Sequence, residues 1–222
     1  MIKILTIILT VFLSIKFSYA EIVNDIKITG NERVGAETIK VYGDIEIGKD
    51  YQKSDLNKII KNLYSTNFFE DIQISIRNNI LLISLKEFPL VNQLIIVGEQ
   101  SGKYKEQIRK LIKLKEKNSF IKSYLSSDID IIKRLYSSAG YNNSKIEIKT
   151  KEIDNQNLDL IIQIERGNLT KISSISFTGD KKIRDKRLRD VIASEEDKFY
   201  KFISRNTKFS ESLINLDLRL LT

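Results

Sequence analysis

Cysteine, histidine and tryptophan are missing from this 222-residue chain, proline occurs once and glycine nine times. Without cysteine no disulfide can staple the fold and no thiolate can attack a substrate. Without histidine there is no imidazole base, and the soft metal sites built from these two residue types are excluded as well. An enzyme would have to use convergent carboxylates or activated hydroxyls, and no such constellation stands out, so no catalytic residue, cofactor or metal is expected.

Long apolar runs are scarce too. One, Ile4 to Ile15, is broken only by Thr6, Thr10 and Ser14, follows Lys3 and leads to Ser18-Tyr19-Ala20. This is the pattern of a secretory signal over residues 1–20, cleaved after Ala20. An uncleaved anchor is the competing reading, but the run is shorter than the roughly 17 to 25 residues of a span and Lys16 cuts it off. Losing Lys3 and Lys16 takes the net charge from +8 to +6, with lysines and glutamates mixed along most of what is left. An exported chain without a reading element is not expected to bind nucleic acid.

What the chain does have is repetition. Leu63-Tyr64-Ser65-Thr66-Asn67-Phe68-Phe69 returns as Leu135-Tyr136-Ser137-Ser138-Ala139-Gly140-Tyr141. An alternating segment ending in glycine occurs three times, as Val23-x-x-Ile26-x-Ile28-x-Gly30, Val91-x-x-Leu94-x-Ile96-x-Gly98 and Ile172-x-x-Ile175-x-Phe177-x-Gly179. Each reads as a half-buried strand before a turn that needs positive φ, and no phosphate loop follows. A short first helix is predicted near 35–42, 103–113 and 184–192. A longer second helix is predicted from an N-cap at Ser54 through Leu56, Ile59, Ile60, Leu63 and Tyr64, and again from Tyr124 to Tyr136. Tyr64 and Tyr136 are expected to be packing residues at the helix ends.

Strand hairpins follow, at 71–77 with 80–85 and at 145–149 with 158–164. The apolar run Ile80 to Leu85 suggests a central strand, and the alternation of 71–77 a strand with one wet face. Glu87 and Glu165 end the two hairpins but fall in different repeats, so they form no acid/base pair. Pro89 sits at a strand exit, where its missing N–H suits a boundary. The third copy carries a basic and polar insertion, Lys198 to Lys208, and then a helix starting at Ser210, and it lacks a hairpin.

Ile26-x-Ile28-x-Gly30-Asn31, Leu63-Tyr64-x-x-x-Phe68-Phe69-x-Asp71-Ile72 and Leu81-x-Ile83-x-Leu85-x-Glu87-x-Pro89 together resemble the polypeptide-transport-associated, or POTRA, domains that precede the barrel of bacterial outer-membrane assembly factors. Leu135-Tyr136-x-x-x-Gly140-Tyr141 with Ile162-x-Ile164-Glu165-x-Gly167 resembles a second such domain, and Ile175-x-Phe177-x-Gly179-Asp180 the opening of a third. The resemblance implies an α+β fold of tandem small domains at 21–90, 91–168 and, incomplete, 169–222, with a membrane barrel expected downstream. Each domain is expected to run strand-helix-helix-strand-strand, its three-stranded mixed sheet covered on one face by two helices.

It also implies a non-enzymatic periplasmic array at the cell outer membrane. Its expected partners are unfolded outer membrane proteins, accessory assembly lipoproteins and the chain's own barrel. The POTRA module of a two-partner secretion transporter, of a related assembly protein or of a cell-division interaction protein is the alternative. An exposed edge strand can take an extended peptide through main-chain hydrogen bonds. The candidates are Ile72, Gln73, Ile74, Ser75, Ile76 and Arg77, and in the second copy Ile146, Glu147, Ile148 and Lys149. The competing reading is an ordinary edge guarded by Arg77, Lys145 and Lys149.

Overall fold

Two alternating apolar patterns, each interrupted by a helix pair, produce two separate three-stranded sheets. The computed structural model describes residues 21–179, 182–198 and 206–222, so the signal expected over residues 1–20, Asp180 and most of the Lys198 to Lys208 insertion lie outside the described residues. The chain divides into two compact units, Met1–Phe88 and Pro89–Thr222.

The first unit contains β1 (Glu21–Ile22), β2 (Asp25–Thr29), α1 (Ala36–Gly43), β3 (Asp50–Tyr51), α2 (Lys53–Ser65), β4 (Phe69–Arg77) and β5 (Ile80–Glu87). Its main sheet has the order β2-β5-β4, with β2 parallel and β4 antiparallel to the central β5. β5 is the most apolar of the three because it alone has neighbours on both sides. The two-residue strands β1 and β3 form a small antiparallel clip not foreseen from the sequence. Ile39 of α1, Ile59 and Leu63 of α2, and Phe69, Leu81, Ile83 and Leu85 of the sheet are buried together in one core.

The second unit repeats the plan with β6 (Leu90–Val97), α3 (Gly102–Leu111), α4 (Tyr124–Ser138), β7 (Lys145–Glu152) and β8 (Asn157–Glu165), in the sheet order β6-β8-β7. Ile108, Ile132 and Tyr136 from the helices meet Leu94, Leu160, Ile162 and Ile164 from the sheet in its core. Beyond it lie α5 (Asp185–Val191) and α6 (Glu211–Leu221).

Three expectations are corrected. The N-cap of α2 is Gln52, two residues before Ser54, and Asp55 accepts its N–H at 2.9 Å. Residues 172–178 form no strand, since among the described residues only the isolated bridge Lys171–Lys208 lies in that region and an alternating segment without a neighbour has no ladder to join. Tyr64 is 41% exposed rather than packed, while Tyr136 is fully buried. The helix ends explain this last difference. Leu63 and Tyr136 both accept the N–H three residues on, and Asn67 and Gly140 both take positive φ, so Leu63 matches Tyr136 and the repeated Leu-Tyr pair is one residue out of structural register.

Candidate functional site

The candidate residues lie on the two outer strands β4 and β7, each bonded on one side only among the described residues. In antiparallel pairs alternate residues turn their main-chain groups toward the partner. Asn78 and Asn79 take φ of 51° and 63°, as the centre of a type I′ hairpin requires, and this makes Arg77 and Ile80 the first bonded pair. Counting back two at a time, Ser75 and Gln73 bond to β5, and Ile72, Ile74 and Ile76 direct N–H and C=O away from the sheet. In β7 the bond from Ile153 N–H to the Asn157 carbonyl, 3.0 Å, sets the same count. Lys149 and Glu147 therefore bond inward, and Ile146, Ile148, Thr150 and Glu152 face outward.

Side chains sort by the same parity. Ile72 and Ile146 are core residues at the helix-covered face, with Ile74, Ile76 and Ile148 half-buried beside them. Gln73, Ser75, Arg77, Glu147 and Lys149 stand on the bare face. The charges there are partly committed: Lys149 Nζ lies 3.3 Å from Glu147 and 3.1 Å from Gln163 Oε1, and Lys145 lies 4.0 Å from Glu165. Each edge thus offers an alternating ladder of free main-chain groups between an apolar row and a polar row.

The loops that brace these sheets rest on polar contacts that the sequence reading did not foresee. Glu87 accepts the N–H groups of Glu32, Arg33 and Val34 at 3.0, 3.1 and 2.9 Å and the Arg33 Nε at 2.9 Å. Partial burial pushes its carboxyl up, but the Val34 and Arg33 amides and the Arg33 guanidinium outweigh that and hold it below the ordinary value. In the second unit the charges are exchanged: Glu99 is buried, and Arg166 Nη1 approaches it at 3.9 Å. Gly30 lies against the Leu85 carbonyl and Gly98 against the Ile164 carbonyl, which makes Glu87 and Arg166 equivalent and Glu165 the counterpart of Lys86. Glu99 also accepts the Ser101 N–H at 2.7 Å and the Tyr136 hydroxyl. Burial first, then the Glu99 carboxylate, drive the Tyr136 hydroxyl well above its usual range, so it is a donor here and a poor nucleophile.

A second brace recurs after β6 and after residues 172–178. Arg109 bonds the Leu94 carbonyl at 2.7 Å and Glu116 at 2.9 Å, and Glu116 accepts the Leu94 N–H at 2.9 Å. Arg189, Glu196 and Ile175 make the same three contacts. Asp128, fully buried, accepts the N–H groups of Lys113 and Leu114, both at 2.9 Å, just past the end of α3. Asp217 does so for Ala193 and Ser194 past the end of α5. The signal for these was present as Arg-x6-Glu at 109/116 and 189/196.

Residues 89–167, the second unit's helix pair and three-stranded sheet, match the model of the POTRA family, described as a surface antigen variable number repeat. Over a longer span the chain is similar to outer membrane protein assembly factors. It is 26% identical over 95% of its length to the outer membrane protein assembly factor BamA of Neorickettsia risticii, and 26% identical over 90% to that of Neisseria meningitidis serogroup B. Those alignments take in 28% and 25% of the relatives, so the chain spans about a quarter of their length. Among solved structures, the Haemophilus influenzae BamA POTRA3-5 fragment aligns over 90% of this chain and 84% of its own, at 14% identity and a TM-score of 0.42.

Proposed function

We propose that the chain is the periplasmic, non-enzymatic POTRA array of an outer membrane protein assembly factor, with domains at 21–90 and 91–168 and the start of a third at 169–222. The array receives unfolded outer membrane proteins, docks accessory assembly lipoproteins and serves a membrane barrel of the same protein. The observation that carries this reading is the pair of open outer strands, whose outward N–H and C=O groups at Ile72, Ile74 and Ile76, and at Ile146, Ile148 and Thr150, fit strand addition. Main-chain pairing needs no particular side chains, which suits a receptor for many unfolded substrates. The apolar and polar rows flanking each ladder match the alternation of a membrane-barrel strand.

Photocrosslinkers placed at Gln73 and Glu147, on the bare face beside each ladder, test it. Adducts with a nascent barrel peptide are expected at one or both positions. No adduct at either position while assembly proceeds rejects strand addition.

A further inference from the structure

Charge in this chain is segregated by element. Residues 103–122, covering α3 and the loop to α4, carry eight lysines and arginines against Glu106 and Glu116, a net +6. The equivalent stretch of the first unit, 36–52, holds Lys40 and Lys49 against Glu37, Asp44, Glu46 and Asp50, a net −2. The next first helix in the chain is basic again, with Lys182, Arg184, Lys186, Arg187 and Arg189 against Asp185 and Asp190. Fold does not require this, since the same helix position is built with either sign.

Three of the eight cations are occupied: Arg109 by Glu116, Lys110 by Glu106 at 2.6 Å, and Lys113 over the Tyr124 ring at 4.9 Å. Lys103, Lys105, Lys115, Lys117 and Lys122 hold no ion pair among the described residues, and all but the half-buried Lys105 are exposed. Leu111 stands among them with half of its surface open. We infer that residues 103–122 form a contact surface for anionic lipid headgroups.

The chemistry favours a bilayer over an acidic protein. A specific carboxylate is best seated by an arginine fork, and the one arginine here is committed to Glu116 and the Leu94 carbonyl. What remains is lysine ammonium groups on flexible stems, spread over a helix and a loop. They suit a diffuse negative surface, where each adds to binding independently. Leu111 supplies an apolar foothold at the level of the headgroups.

The test is co-sedimentation of residues 21–222, which hold every packed element described above and omit the apolar leader with its own membrane affinity. The probes are vesicles of phosphatidylethanolamine with and without phosphatidylglycerol. Binding is expected only with phosphatidylglycerol and is expected to weaken with salt. At about fivefold per lysine, Lys115→Gln, Lys117→Gln and Lys122→Gln together reduce it on the order of a hundredfold, and the glutamate reversals at the same three positions reduce it further. The same reversal at Lys53, Lys58 and Lys61 on α2 leaves it unchanged. The glutamine variant decides the matter if the glutamate variant loses its circular-dichroism signal. Equal binding to both vesicle types, or equal loss from the α2 variant, overturns the inference. Retention on a polyglutamate matrix without retention on vesicles overturns it in favour of an acidic protein partner.

Discussion

At the residue scale, individual side chains carry the loops between the repeated elements. Gly98 has φ of 83°, and a Cβ there would stand 2.0 Å from the Ile164 carbonyl oxygen, whereas one at Gly48, with φ of 85°, would meet nothing within 4 Å. Gly48→Ala therefore suffers only backbone strain, about 1 kcal/mol, while Gly98→Ala adds a clash with a strand and is expected to lose about 3 kcal/mol or more in urea unfolding. Glu87 has a defined pH signature. Its carboxyl titrates below the ordinary 4.5 in the folded state, so its stabilisation is complete above about that pH and is lost as pH falls through the lower folded value. The melting temperature of the first unit should drop on acidification through this window, and Glu87→Gln should flatten that part of the profile while lowering stability near neutrality. Glu196, drawn down to about 2 by Arg189 and the Ile175 N–H, keeps its charge to still lower pH.

At the element scale, the parity of the outer strands makes proline a directional probe. Thr150 turns its N–H outward from β7, and Lys149 turns its N–H toward β8. Thr150→Pro should leave the sheet intact and block an added strand, since an edge N–H that faces away from the ladder is dispensable to the fold. Lys149→Pro removes a ladder bond and should cost about 1 to 3 kcal/mol. Thermal melts of the two variants check the first difference, and peptide crosslinking at Glu147 checks the second. Asp128 tests the helix brace: Asp128→Ala strands two amides past the end of α3, and a loss of about 2 to 4 kcal/mol is expected in chemical denaturation.

At the scale of the whole molecule, the two units have separate buried cores. Leu160 is fully buried in the second, and Leu160→Ala should destabilise that unit by about 2 to 5 kcal/mol. Hydrogen exchange should then accelerate in β6, β7 and β8 and stay unchanged in β4 and β5. Acceleration in both sheets would show that the units unfold as one.

Periodicity and turn chemistry determined much of this protein before any tertiary contact was known. Strands 71–77 and 80–85 read correctly because alternation and an Asn-Asn turn are local signals, and the first helices at 35–42, 103–113 and 184–192 fell within about two residues of their places. The central position of β5 was legible in its apolar content. Tertiary structure alone decided the rest, because each case depends on what stands across space from a residue. It separated Tyr64 from Tyr136, paired Arg33 with Glu87 and Glu99 with Arg166, and left 172–178 without a ladder. It also decided which atoms of the candidate strands are free: the sequence marked Ile72 to Arg77 and Ile146 to Lys149 as segments, and only the register against β5 and β8 divides them into groups that hold the sheet and groups that face outward.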